Sequence, residues 1–397
     1  MRADLLERYE ALSLPATSEE HWRFTDLRDL DLPAPGDCPR TGTVPIGSEP
    51  QTVPAGSAPA GQAVLVDAAA TVTYDGISLE ISGVPEGIRL EALDDAHPLL
   101  GTLVLPDDKL RAHNAACWEH GLLVHVPPDV VVEKPIYVKL TGAARLFWRL
   151  LVVADPGSRF TVIEDLSSAP RLEGYVNTVS EIVVHDGARA ELVSLQSLAH
   201  DTWYFASNHA TVGRDAELDW VVGGFGSRKG KVWIQNDLIG RGATSRVTGA
   251  YFADGTQHLD YDTYQRHAAP DTTSDFAFKG ALRDRAHAVW RGMIRVEEGA
   301  QRTNAYQENR NLLLAKTAVA NSIPGLEILA NDVRCTHGAT LGQVDREQLF
   351  YLMSRGLSRA EAERLIVRGF FQDVLDRIEL EPVRDAVTAS LDARLPD

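Results

Sequence analysis

The sequence predicts a mostly β chain whose centre winds as a β-solenoid between helical ends, and three observations carry that reading. Short β-like runs recur between turns: DPGSRFTVIED, HDGARAELVS, GRDAELDWVV, GRGATSRVTG, RDRAHAVWRG, EEGAQRTNAY and THGATLGQV. Each places a small residue after its turn, namely Ser158, Ala188, Ala216, Ala243, Ala286, Ala300 and Ala339, at intervals of 30, 28, 27, 43, 14 and 39 residues. The 43 and the 14 together make about two of the earlier intervals, as expected of coils whose two faces each supply a strand. Beyond Asp345 the pattern changes to apolar stripes at helical spacing. One coil cannot bury its own apolar face, so stacked neighbours complete the core. An antiparallel sandwich, whose strands also recur with Gly and Asp turns, is the main rival.

The elements follow in order. ADLLERYEAL has helical spacing and ends at a turn containing proline; HWRFTDLRDLDL reads as a compact mixed segment. Residues 33–62 are rich in Pro, Gly, Ala, Ser and Thr with no apolar period, which predicts a flexible connection in which Cys38 is incidental. AVLVDAAATVTY reads as a strand pair, and KLRAHNAACWEHG as a helix ended by Gly121 with Cys117 as a packed thiol. These signals divide the chain into a helical and mixed region over 1–100, a solenoid core over 101–344 and a helical region over 345–397. In the last region Asp345 is an N-cap with Gln348 three residues on, and Leu349, Leu352 and Met353 form a stripe stopping at Gly356. Ser358 and Glu361 then make a capping box ahead of Leu365, Ile366, Phe370, Val374, Leu375 and Ile378. That apolar face suits packing on the solenoid's end or docking of a partner.

Composition narrows the function. The chain has 397 residues and a formal charge of −17, which disfavours binding to nucleic acid or to an anionic membrane surface. No apolar run is long enough to span a bilayer, the N-terminus has no export signal, and three scattered cysteines make no disulfide framework; the expected location is the cytoplasm.

Three stretches invite chemistry. GGFGSRKGKV resembles a phosphate loop, but Phe225 stands where the first glycine is needed and Val232 where a magnesium-binding hydroxyl belongs, so no nucleotide is expected to bind. In QHLDYDTYQRH an extended backbone puts His258, Asp260 and Asp262 on one face, with His267 nearby. That grouping suits a divalent metal, yet alternating polar residues on a solvated strand, the preferred reading, give the same pattern. In DVRCTHGATLGQ, Cys335 and His337 share a face if the stretch is extended. They are either a buried thiol beside a turn-bonded histidine or two ligands for zinc, iron or an iron–sulfur cluster. Two ligands cannot close a tetrahedral site, so a metal would need further donors from another loop or another subunit.

The run FKGALRDRAHAVWRGMIRVEEGAQRTNAYQENRNLLL, continued by ANSIPGLEILANDVRCTHGATLGQVDREQLFYLMSRGLSRAEAERLIVRGFF, resembles the SufB/SufD family of iron–sulfur cluster assembly proteins. The likeness is strong over about residues 260–371 and weaker at WRFTDL and LRAHNAACWEHGLLVHVPPDVVVEKPI. Gly338 in CTHGATLGQ is the SufD form, where SufB chains have Glu. The resemblance implies a right-handed parallel β-helix with helical ends, and a scaffold subunit without catalysis of its own. It implies a complex with SufB and two copies of the ATPase SufC, with a homodimer where SufB is absent. It further implies that Leu349, Leu352, Phe370 and Val374 belong to the SufC-docking surface. His337, with Cys335 less securely, would help hold transient iron or a nascent cluster shared with SufB. Two rival readings remain: a carbohydrate-acting β-helix enzyme using Asp260 and Asp262 with Lys279 or Arg283 as base, and a solenoid that only binds proteins.

Overall fold

A computed structural model describes residues 2–32 and 64–395; the connection expected over 33–62 and Cys38 within it lie outside them, residue 63 likewise. The chain winds as a parallel β-solenoid whose successive strands alternate between two sheets. In order across the first sheet these are β2 (Leu79–Ser82), β1 (Ala70–Tyr74), β5 (Ile136–Gly142), β7 (Arg159–Ser168), β9 (Arg189–Ser197), β11 (Glu217–Gly224), β13 (Thr244–Ala253), β15 (Thr273–Leu282), β17 (Asn304–Leu313) and β19 (Arg334–Gln343). The second sheet runs β3 (Arg89–Ala92), β4 (His120–Val126), β6 (Arg145–Ala154), β8 (Tyr175–Val184), β10 (Trp203–Val212), β12 (Lys229–Leu238), β14 (His258–His267), β16 (His287–Val296) and β18 (Val319–Ile328). Antiparallel pairing occurs between β1 and β2 and between β3 and β4, at one end of the stack. The antiparallel sandwich is thereby excluded, and strands 70–92 already add to both sheets.

The corner residues explain the repeat. Ser158, Ala188, Ala216, Ala243, Ala286 and Ala300 are all fully buried where the chain turns between sheets, because a larger side chain would meet the neighbouring coil. Ala339 breaks the series: it lies within β19, exposed and opposite Asn309. Between the sheets, alternate residues of the strands before β18 and β19 meet in one continuous core that includes Trp148, Trp220, Phe276 and Trp290.

Helices flank this core. α1 (Arg2–Ala11) and α2 (Lys109–Cys117) pack with Trp22 against Phe147, Trp203 and Phe205 of the second sheet. α2 is capped by the Asp108 carboxylate, which accepts from the amides of Leu110 and Arg111. It ends before Gly121, which lies inside β4, where a β-carbon would stand 2.6 Å from the Arg149 carbonyl; the glycine answers a close approach of two strands rather than a helix end. Cys117 is buried as expected. AVLVDAAATVTY yields one strand, β1, rather than two.

At the other end α3 (Arg346–Ser354), α4 (Arg359–Leu375) and α5 (Glu381–Asp392) follow β19. The Asp345 cap is present and the Ser358/Glu361 capping box closes on both sides. Val367, Phe371, Val374, Val383 and Val387 pack on Val221, Ala250 and Phe252, so α4 and α5 lie along the outer face of the first sheet, not across the solenoid's end.

Candidate functional site at the open end of the solenoid

Cys335 and His337 stand on β19, the outermost strand of the first sheet, opposite Ala305 and Gln307 of β17. Ala305, Gln307, Asn309 and Asn311 of β17 are buried, so the matching residues of β19 belong to the face that lines the interior. No coil follows, and the interior of this last one lies open: His337 is exposed and Cys335 half-buried. Cys335 packs with Val333 against Ile294, Val296, Ala305 and Ala330. Burial pushes its thiol pKa up against a backbone hydrogen bond at Ala305 that lowers it, so the sulfur is held as the thiol. His337 is the more accessible donor. Gly338 has its neighbours 3.5 Å and 3.6 Å from an added β-carbon, which is ordinary contact; packing within the chain does not require glycine there.

Beneath the pair the interior is polar. Gln307 Nε2 donates to the carbonyls of Gly292 (3.3 Å) and Gly325 (3.0 Å). Tyr251 Oη donates to Asn311 Oδ1 at 2.5 Å, Asn311 Nδ2 to Asn309 Oδ1 at 2.6 Å, and Ser322 to Asn309. Among the described residues no group of three or more His, Cys, Asp or Glu side chains could hold a metal.

The surroundings of the pair are those of an unfinished surface. β18 and β19 each pair on one side only, which leaves free backbone donors and acceptors. Interior-facing apolar residues emerge beside them: Leu326 and Ile328 of β18 and Leu341 of β19, the last 55% exposed.

The four helical residues expected to dock a partner separate. Val374 and Leu349 are buried in the chain's own packing, and Phe370 and Leu352 are half-buried. Phe370 packs with the α4–α5 cluster, its ring 4.9 Å from Lys279 Nζ. The apolar residues that α3 and α4 leave exposed are Phe350 (73%), Tyr351, Met353 and Leu365. Their positions fall between the core-facing ones, a phase that a broad apolar stripe blurs in the sequence.

The His258–Asp262 group is not a solvated strand. His258, Asp260 and Asp262 are buried beneath the segment that follows α1. His21 Nδ1 lies 2.7 Å from Asp262 Oδ2, and Thr25 Oγ1 donates to Asp260 and lies 2.8 Å from His258 Nε2. Lys231 Nζ sits 2.8 Å from Asp260 Oδ2, with Trp22 and Trp233 against its ammonium. The lysine of the supposed phosphate loop is thus a buried counter-ion within β12. Its ammonium also lies 3.8 Å from Asp262 Oδ2. Lys279 belongs to the other sheet, tied to the Phe370 carbonyl and Asp373, so this one of the two bases imagined for a carbohydrate-acting site does not meet Asp260 and Asp262. His267 is also internal, bonded to Thr272 and Ser274.

The fold is a parallel β-solenoid whose open polar end carries a Cys/His pair. Sequence comparison makes this specific: the family profile described as SUF system FeS cluster assembly, SufBD core domain, matches residues 138–370. An iron–sulfur cluster assembly SufBD family protein of Mycobacterium tuberculosis is 31% identical over 97% of this chain and 90% of its own length. Its Mycobacterium leprae counterpart is 30% identical over 97% and 92%. The iron–sulfur cluster assembly protein SufD of Bacillus subtilis is 30% identical over 73% of this chain and 67% of its own. The chain belongs to the SufBD family of iron–sulfur cluster assembly proteins. No helix among the described residues is long and apolar enough to cross a membrane.

Proposed function

We propose that the chain is a non-catalytic scaffold subunit which, docked through the open end of its solenoid to a SufB-type partner, holds iron or a nascent iron–sulfur cluster at His337. The observation that carries this is the position of His337: an exposed imidazole on the terminal strand, between an unpaired sheet edge and emergent apolar residues. A partner strand laid along β18 or β19 satisfies the edge and brings its own side chains to the imidazole. The cluster is cargo, and thiolates from the partner complete its ligand set. Cys335 serves as packing for the strand, or as a secondary ligand once metal binding displaces its proton. The same edge is self-complementary in a two-fold pair, so the chain alone forms a homodimer.

Phe350, Tyr351, Met353 and Leu365 support docking of a SufC-type ATPase on α3 and α4, with nucleotide hydrolysis on that partner. The test is anaerobic co-purification with SufB and SufC, comparing iron and sulfide per complex for the native chain and His337→Ala. An intact complex with the cluster lost is the expected result. Unchanged iron and sulfide would make the pair structural and move the assembly site off this chain.

A further inference from the structure

Inside the first half of the solenoid the two sheets do not close completely on each other. They leave a small cavity, about 30 Å³, lined by interior-facing residues of both sheets. Its lining is unusual for a solenoid core. Glu164 of β7, Thr178 and Ser180 of β8, Ser194 of β9, and Tyr204 and Asn208 of β10 are polar residues of the lining. Leu140, Trp220 and Val232 close the rest.

Among the described residues Glu164 is the one carboxyl group lining the space, and no Lys, Arg or His lines it. The titratable groups that share the cavity with it are the phenols of Tyr204 and Tyr261, both pushed up by burial and neutral. Glu164 has one hydrogen bond to a neighbouring side chain, from Trp148 Nε1 to Oε1 at 3.0 Å. Trp220 Nε1 donates to Ser194 Oγ at 3.0 Å, which turns that hydroxyl into the lining. A space of this size holds a water molecule, and a water needs two to four polar partners; the carboxyl and the ring of hydroxyls provide them.

We infer that the solenoid encloses a protonatable hydration site, in which water bridges Glu164 to the surrounding hydroxyls and the carboxyl is carried as the neutral acid in mildly acidic solution. A carboxylate here would be stripped of bulk water with no cation to compensate it, whereas the acid can donate its proton to the enclosed water and accept from Trp148. Burial accordingly raises the Glu164 pKa to about 7, partly offset by the bond from Trp148.

This site is independent of His337 and is tested on the full chain alone. Infrared difference spectra of protein carrying carboxyl-labelled glutamate follow the acid directly, with Glu164→Gln as the assignment control. A crystal structure near pH 6 tests the water. The expected result is a neutral-acid carbonyl band that titrates with a midpoint near neutrality and is missing from the variant, together with water density between Glu164 and the hydroxyls. The folded-to-unfolded ratio of the native chain, relative to the variant, falls about 70-fold between about pH 5 and pH 8. Absence of the acid band at pH 6, or an empty cavity, would overturn the inference. The labelled native chain distinguishes these results even if the variant does not fold.

Discussion

Replacing Lys231 with methionine removes the positive charge that the segment after α1 seals against the second sheet. Lys231 is 1% exposed and Asp260 2%, so neither can turn to solvent when the other is lost. Asp260 retains the Thr25 hydroxyl as a donor, but a hydroxyl does not replace a counter-ion. Removing one partner of a buried pair costs about 3–5 kcal/mol. The loss has a built-in limit: burial already pushes the Asp260 carboxyl up and Lys231 opposes that push, so in the variant the acid takes up a proton instead of remaining charged. The raised folded pKa has a definite sign. Folding then binds a proton, so the variant regains stability as pH falls and is weakest at high pH. Urea unfolding at pH 6 and pH 8, with the slope of the transition checked for constancy, measures both effects. The companion Lys231→Met/Asp260→Leu chain removes both charges and recovers most of the loss. A single-variant loss under about 1 kcal/mol, with no recovery in the double variant, would refute the claim that the segment seals a dry ion pair.

Two further outcomes follow from the buried histidines and the exposed helix face. His113, His258 and His267 are buried, and desolvation holds them neutral down to about 3, 3 and 4 respectively. Each folded pKa lies below its unfolded value, so stability is lost as pH falls below about 6.5, roughly 2–3 kcal/mol per histidine by about pH 4.5. His258→Gln should move the acid-unfolding midpoint to lower pH in a circular-dichroism titration. On the helices, Phe350→Asp with Leu365→Asp should change unfolding stability by no more than about 0.5 kcal/mol, since both side chains are exposed. The same pair should abolish co-elution of the ATPase partner while leaving association through the open end intact.

The repeat was legible because corner geometry imposes small residues, and six of the seven chosen occupy buried corners. Ala339 misled because GATLG has the composition of a corner while lying in a strand. α5 has no side-chain cap at Leu380, yet Pro382 in its first turn and the buried Val383, Ala386, Val387 and Leu391 at helical spacing mark it in the sequence. The polar alternation of β14 located a shared face correctly, but its cover comes from residues 233 to 241 positions away. Local periodicity carries no information about such a contact. The Cys335/His337 adjacency followed from the two-residue period of a strand; that this strand ends its sheet depends on the absence of another coil after it.

In a stack of coils, each unit gains stability from the faces it shares with its neighbours. The coil of β18 and β19 shares only one, and it carries His337. The imidazole is thus mounted on the most loosely tethered tile of the row. A partner arriving at the end supplies the missing face, and the binding energy of assembly is spent in part on stiffening the strand that presents the ligand. Under the proposed function, docking and readiness to hold iron become one event: the undocked end would offer metal a yielding surface, and the docked one a fixed geometry.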